Sequence, residues 1–191
     1  IAFIIVVCNA YNLIDGIDGQ AGTQALAVFL FLAGFLFHLI YATDVLHQDT
    51  FFANANFWMI AFVAIIGSLI GFLVFNWQPA KIFMGDTGSL FIGTLIALSI
   101  IMSMNYSGAD PILIYDYEIK AKILVFPMFF FLPFADTLRV FVSRIRRGKS
   151  PFSADKTHIH HFLLRTGYSH QRTAITNFVI QVVVSLISII V

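Results

Sequence analysis

The sequence predicts an all-α fold, a polytopic transmembrane helical bundle of about five spans plus an N-terminal helix stub. Composition is the first reason. Of the 191 residues 59% are hydrophobic and 11% charged, with mean hydropathy +0.89, whereas a soluble domain carries roughly 25% charged residues. Patterning is the second reason. The long apolar runs approach the roughly 20 residues that cross a bilayer. They are uniformly apolar rather than alternating, which excludes barrel strands and leaves helices as the way to satisfy the backbone in lipid.

The elements follow in chain order. Ile1–Val7 (IAFIIVV) is the stub: it has no initiator methionine and no basic region ahead of a cleavage site, so it is read as the interior of a hydrophobic segment rather than a signal peptide. Five spans follow, at about Ala25–Tyr41, Phe57–Phe75, Gly88–Met104, Ile123–Val142 and Ala174–Val191. The only cysteine, Cys8, lies in an apolar stretch, so no disulfide framework is expected. The expected organisation is a single membrane domain over 1–191 with loops on one side at about 8–24, 76–87 and 143–173.

Basic residues orient the bundle. The loops on that shared side hold Lys81, Arg144, Arg146, Arg147, Lys149, Lys156, Arg165 and Arg172. The opposite loops, Ala42–Asn56 and Asn105–Lys122, hold only Lys120 and Lys122 against Asp44, Asp49, Asp110, Asp116 and Glu118. The first set is therefore expected to be cytoplasmic.

Three polar stretches emerge on that side: NLIDGIDGQAG, NWQPAKIFMGDTGS and SPFSADKTHIHHFLLR. An Asp before Gly is commonly a turn residue or helix cap, and Asp86 ahead of Thr87 and Gly88 has that bland reading. Three such stretches on one face favour a site. Gly16, Gly19, Gly85 and Gly88 let backbone approach a ligand, and a helix starting near Thr87 points its positive end at it. Carboxylates beside phosphate-friendly backbone suggest magnesium bridging a diphosphate, since Mg²⁺ takes one or two carboxylates plus substrate oxygens.

The third stretch concentrates cations. Arg144, Arg146, Arg147 and Lys149 serve as a positive-inside anchor. His158, His160 and His161 cluster, with Arg165 four residues after His161 and on one face if the stretch is helical. Zinc fits poorly, because no cysteine is near and H-x-H-H is not a zinc spacing. Donation to phosphate oxygens fits better. Asp136 and Arg139, at i and i+3, read as an internal ion pair stabilising the bundle.

Taken together and in this order, NAYNLIDGIDGQAG, NWQPAKIFMGDTGSLFIG and SPFSADKTHIHHFLLRTGYS resemble the polyprenyl-phosphate N-acetylhexosamine-1-phosphate transferases, the MraY/WecA/TagO superfamily. The H-I-H-H form is similar to the WecA/TagO-like branch. The resemblance covers essentially the whole chain but only about the C-terminal half of a typical member. It implies transfer of a sugar 1-phosphate from a UDP-sugar to a polyprenyl phosphate lipid, with release of UMP. UDP-N-acetylglucosamine and undecaprenyl phosphate are the implied pair, and Mg²⁺, with Mn²⁺ as the alternative, is the implied cofactor. The implied location is the cytoplasmic face of the bacterial inner membrane, in the first membrane step of cell-wall or lipopolysaccharide-type glycan synthesis. A homodimer is left open and no nucleic-acid partner is expected.

Residue by residue, the resemblance makes Asp86 the magnesium ligand and places Asp86, Asp15, His158, His160 and His161 in the catalytic set. It places Asn12, Asp18, Asn76, Phe83 and Arg165 in substrate binding, with Phe83 stacking on uracil and Asn76 hydrogen-bonding it. One departure stands out: the family's aspartate-rich motif on an earlier loop has no counterpart here, so the chain alone is expected to present an incomplete site. A transporter or flippase subunit is the alternative class. It requires broken helices or polar residues near mid-bilayer, whereas the polar candidates in the sequence lie mostly at helix ends and no clear inverted repeat is seen.

Overall fold

The computed structural model describes residues 1–42, 49–106, 130–150 and 157–190. They form seven helices with no strand among the described residues: α1 Ala2–Ile14, α2 Gln20–Ala42, α3 Asp49–Asn76, α4 Gly85–Tyr106, α5 Phe131–Arg146, α6 Ile159–Arg165 and α7 His170–Ile190. Three are long and apolar enough to cross a membrane, over Gln20–Phe37, Ala55–Asn76 and Gly85–Ser103. The protein is a polytopic helical membrane protein, as the composition requires. Residues 123–129 of the span expected at Ile123–Val142 and most of the loop expected at Asn105–Lys122 lie outside the described residues, whereas in the loop expected at Ala42–Asn56 residues 49–56 already belong to α3.

Helix boundaries depart from the expectation where polar letters are embedded in helix. The stub is a full 13-residue helix, because Asn9 donates its amide to the Ile5 carbonyl one turn back at 2.7 Å and Asn12 faces α4. The loop expected over 8–24 is reduced to residues 15–19 between α1 and α2. Two glycines make the turns: Gly19 at φ +76° and Gly85, which opens α4, at φ +65°, left-handed values that side chains disfavour.

Packing separates inner from outer helices. The apolar window of α2 is 67% buried and that of α3 only 11%, so α2 is the central post and α3 an outer wall. Phe29, Leu32 and Leu36 of α2 meet Phe62 and Leu69 of α3, Ala10, Tyr11 and Ile14 of α1, and Ile96 and Ile100 of α4 in one apolar core. Phe57, Ile60, Val63, Ile70 and Val74 on the far side of α3 are exposed, as lipid-facing side chains are. Polar groups knit the interior. The Tyr11 hydroxyl donates to the Ala21 carbonyl at 2.8 Å, and Gln181 of α7 accepts the Leu132 N–H at the start of α5 at 2.9 Å. Gln24 of α2 and Asn177, Gln181 and Ser185 of α7 are all buried, and Asn177 donates to Gln20 Oε1 of α2 at 3.1 Å, so polar residues are not confined to helix ends. Interhelical hydrogen bonding of this kind holds membrane bundles together.

Candidate active site

The end of α1 is where the motifs meet. Asn12, on its last turn, donates its amide to Asp86 Oδ1 at 3.1 Å and to Ser89 Oγ at 2.8 Å on the first turn of α4. Asp86 sits where the positive end of the helix favours a carboxylate. Asp15 follows α1 directly. Burial raises its carboxyl above the usual range, the Asp86 charge raises it further, and the Gly85 N–H opposes both. A carboxylate raised by burial and by a neighbouring carboxylate's charge is in a setting that a divalent cation would relieve. Among the described residues no three His, Cys, Asp or Glu side chains form a metal-holding group, so a cation here would draw its remaining ligands from elsewhere, as Mg²⁺ does from phosphates and water.

On its other side the same loop touches the histidine helix. A side chain at Gly16 would lie 2.8 Å from His160 Nε2, so the His160 imidazole occupies the space that glycine leaves. His158 and His160 are buried, at 4% and 3% exposure. Their rings lie parallel, 5.7 Å apart, and His161 is 4.3 Å from His160 between ring centres. Burial, the charges of His161 and His158, and to a lesser extent that of His170, push His160 down to about 4, with Asp136 opposing.

A pH prediction follows from that depression. An unfolded histidine titrates near 6.5, so on acidification the unfolded state takes up a proton that folded His160 refuses. His160 then contributes full stability above about pH 6.5 and loses it as pH falls toward about 4, by up to about 3 kcal/mol. Thermal unfolding of wild type and His160→Gln between pH 7.5 and 4.5 should show the gap between them shrinking on acidification. A pH-independent gap would remove His160 from this role.

The remaining candidates divide. Asp18 accepts the Ala80 N–H at 3.2 Å and lies 3.5 Å from His170 Nδ1, joining three loops. Asn76 is buried: its oxygen accepts the Gly19 N–H at 3.0 Å and its NH₂ donates to the Ile82 carbonyl at 2.8 Å. It stitches the α1–α2 and α3–α4 loops rather than facing an open site. Phe83, by contrast, is 74% exposed. Arg165, with Arg139, Thr157, Ile159 and Phe162, lines an open cavity of about 340 Å³ beside α6. Asp136 and Arg139 form the expected ion pair at 2.7 Å, but Asp136 also contacts His158 Nδ1 at 2.9 Å. That contact, the Asn12–Ser89 bond and the pairing of Gln78 with Gln171 carry no local sequence signal.

Fold and site together define a multi-pass membrane protein with carboxylates and histidines gathered at one end of its bundle. Residues 1–104 match the glycosyl transferase family 4, and the chain belongs to this family. It is 34% identical, over 92% of its length and 42% of the relative, to decaprenyl-phosphate N-acetylglucosaminephosphotransferase of Mycobacterium tuberculosis. It is 32% identical, over 100% of its length and 46% of the relative, to a probable undecaprenyl-phosphate N-acetylglucosaminyl 1-phosphate transferase of Bacillus subtilis. A phospho-N-acetylmuramoyl-pentapeptide-transferase of Chloroherpeton thalassium is also 32% identical, over 99% of the chain and 49% of the relative. The chain thus spans a little under half the length of these curated relatives.

Proposed function

We propose that the chain supplies the C-terminal part of a Mg²⁺-dependent transferase. It moves N-acetylglucosamine 1-phosphate from a UDP-sugar to undecaprenyl phosphate and releases UMP, at the cytoplasmic face of the bacterial inner membrane. The observation that carries this reading is the junction at the end of α1. There Asn12 binds Asp86 and Gly16 receives His160, bringing all three polar stretches to one place.

In the transfer an oxygen of the lipid phosphate forms a bond to the sugar-bearing phosphorus while the bond from that phosphorus to UMP breaks. Negative charge then spreads over phosphoryl oxygens and must be held by fixed donors and cations. Asp86, with Asp15 beside it, would hold the magnesium ion, which when bound neutralises charge on the diphosphate. Asn12 keeps Asp86 in place. His161 and Arg165 donate to phosphate oxygens, and the exposed Phe83 ring offers a face to the uracil. Asp18 and Asn76 shape the loop that presents Phe83. The cavity between Arg139 and Arg165 has a volume within the range of small-molecule sites and receives the sugar end of the substrate.

Exchange of labelled UMP into UDP-N-acetylglucosamine tests the reading. A transferase of the relatives' length that carries this chain as its C-terminal portion should exchange only with polyprenyl phosphate and Mg²⁺ present. The 191 residues alone, without an aspartate-rich motif, should not. Failure of the longer protein to exchange would sink the assignment, and robust exchange by the short one would show that its site is complete.

A further inference from the structure

We propose that Asp136 is a positioning residue: it fixes the ring nitrogen that carries the proton in His158 and thereby sets the pose of the whole histidine helix. The inference deepens the function proposed above and rests on its reading of α6 as a phosphate-contacting element. Three consecutive residues at the start of α6, Thr157 to Ile159, are tied to one helix, α5. Arg139 donates to the Thr157 carbonyl. His158 Nδ1 lies 2.9 Å from Asp136 Oδ2. The Ile159 N–H is 3.1 Å from each carboxylate oxygen.

An ion pair with Arg139 alone does not explain this arrangement. Arg139 Nε and Nη2 both address Oδ1, at 3.2 and 2.7 Å, which leaves Oδ2 to the imidazole and the backbone. The Asp136 and His158 side chains are 4% and 5% exposed, so water does not compete. A carboxylate facing Nδ1 accepts a hydrogen bond from Nδ1–H, and the neutral imidazole then carries its lone pair on Nε2. Free histidine prefers the opposite form. Orienting a functional imidazole through its second nitrogen is how supporting carboxylates act in many sites. The effect is passed on by stacking: the His158 ring lies parallel to that of His160 at 5°, and His160 fills the space above Gly16. Asp136 thus reaches the Asp15–Asp86 junction through two imidazoles without touching a substrate.

The test is ¹⁵N spectroscopy of the histidine-labelled protein in lipid nanodiscs at alkaline pH, with His158 assigned by the signal lost in His158→Gln. His158 should be in the Nδ1–H form. Asp136→Ala should return it to the Nε2–H form, whereas Arg139→Gln, which removes the ion pair and the bond to the Thr157 carbonyl but leaves Asp136 Oδ2 facing Nδ1, should not. Finding the Nε2–H form in the wild-type protein overturns the proposal whether or not the variants fold. In a transferase carrying the chain, Asp136→Ala should lower kcat on the order of 10- to 100-fold, the scale of supporting-residue losses, with a smaller change in KM. A loss of thermal stability with the His158 form and kcat unchanged would also overturn it. Should no transferase activity be found at all, the spectroscopic result still decides the role of Asp136.

Discussion

Asp86→Asn, made in a transferase that carries this chain, lowers turnover by about 10²- to 10³-fold, the loss expected when one preorganised electrostatic group at a phosphoryl centre is removed. The substitution keeps the side chain's size and its acceptor for the Asn12 amide. What it removes is the charge that a cation needs, so added magnesium restores little. Asp18→Asn is the comparison. Asp18 accepts a backbone N–H from Ala80 and approaches His170, and asparagine still accepts from Ala80. Its effect should be a raised KM for the UDP-sugar with a smaller fall in kcat. Initial rates against UDP-N-acetylglucosamine and MgCl₂ separate the two. Near-normal turnover of Asp86→Asn at low magnesium, with Asp18→Asn inactive at unchanged KM, would move the metal to the first stretch.

The bundle was legible because lipid leaves so few solutions. A run such as Phe57–Phe75 has no proline, no charge and no polar face, and α3 includes all of it. Boundaries were less legible where polar residues sit on a helix for tertiary reasons. Asn9 and Asn12 read as loop residues, yet one bonds its own preceding turn and the other reaches across to α4. Sequence spacing cannot distinguish these from a loop.

The site was legible as three stretches and illegible as a set of contacts. Asp136 and Arg139 announce their pairing by being three residues apart, but nothing local says that the same carboxylate reaches His158 22 residues later. Asn76 shows the converse. The resemblance implied a base contact, and the structure spends both ends of its amide on Gly19 and Ile82. Gly16 read as room for a ligand, and its space is taken by His160. Glycine permits close approach; which neighbour approaches is decided by the packing of distant helices.

That packing can be tested where it is tightest. Asn12 and Asp86 meet because α1 and α4 run together, and two turns beyond Asp86 the contact reaches backbone. A Cβ at Gly93 would stand 2.9 Å from Cys8 Cα and 3.2 Å from the Cys8 carbonyl oxygen. No rotamer relieves a clash with backbone, so Gly93→Ala must push the helices apart. The adjacent bonds from Cys8 Sγ to the Leu90 carbonyl at 3.1 Å and between Asn12 and Ser89 at 2.8 Å lengthen with them. Overpacking of this kind destabilises by about 1–3 kcal/mol, and more for Gly93→Leu. Gly67 and Gly71 of α3 provide the internal control, because a Cβ at either meets nothing within 4 Å. There alanine should stabilise by up to about 1 kcal/mol through helix propensity alone. Thermal unfolding of the three alanine variants in one detergent should therefore give shifts of opposite sign. In a transferase carrying the chain, Gly93→Ala should also lower turnover about 10²-fold, the scale of a misplacement of about 1 Å at a reacting centre. A Gly93→Ala protein as stable as Gly71→Ala would show that α1 and α4 do not meet backbone to backbone, and the junction of Asn12 with Asp86 would lose its support.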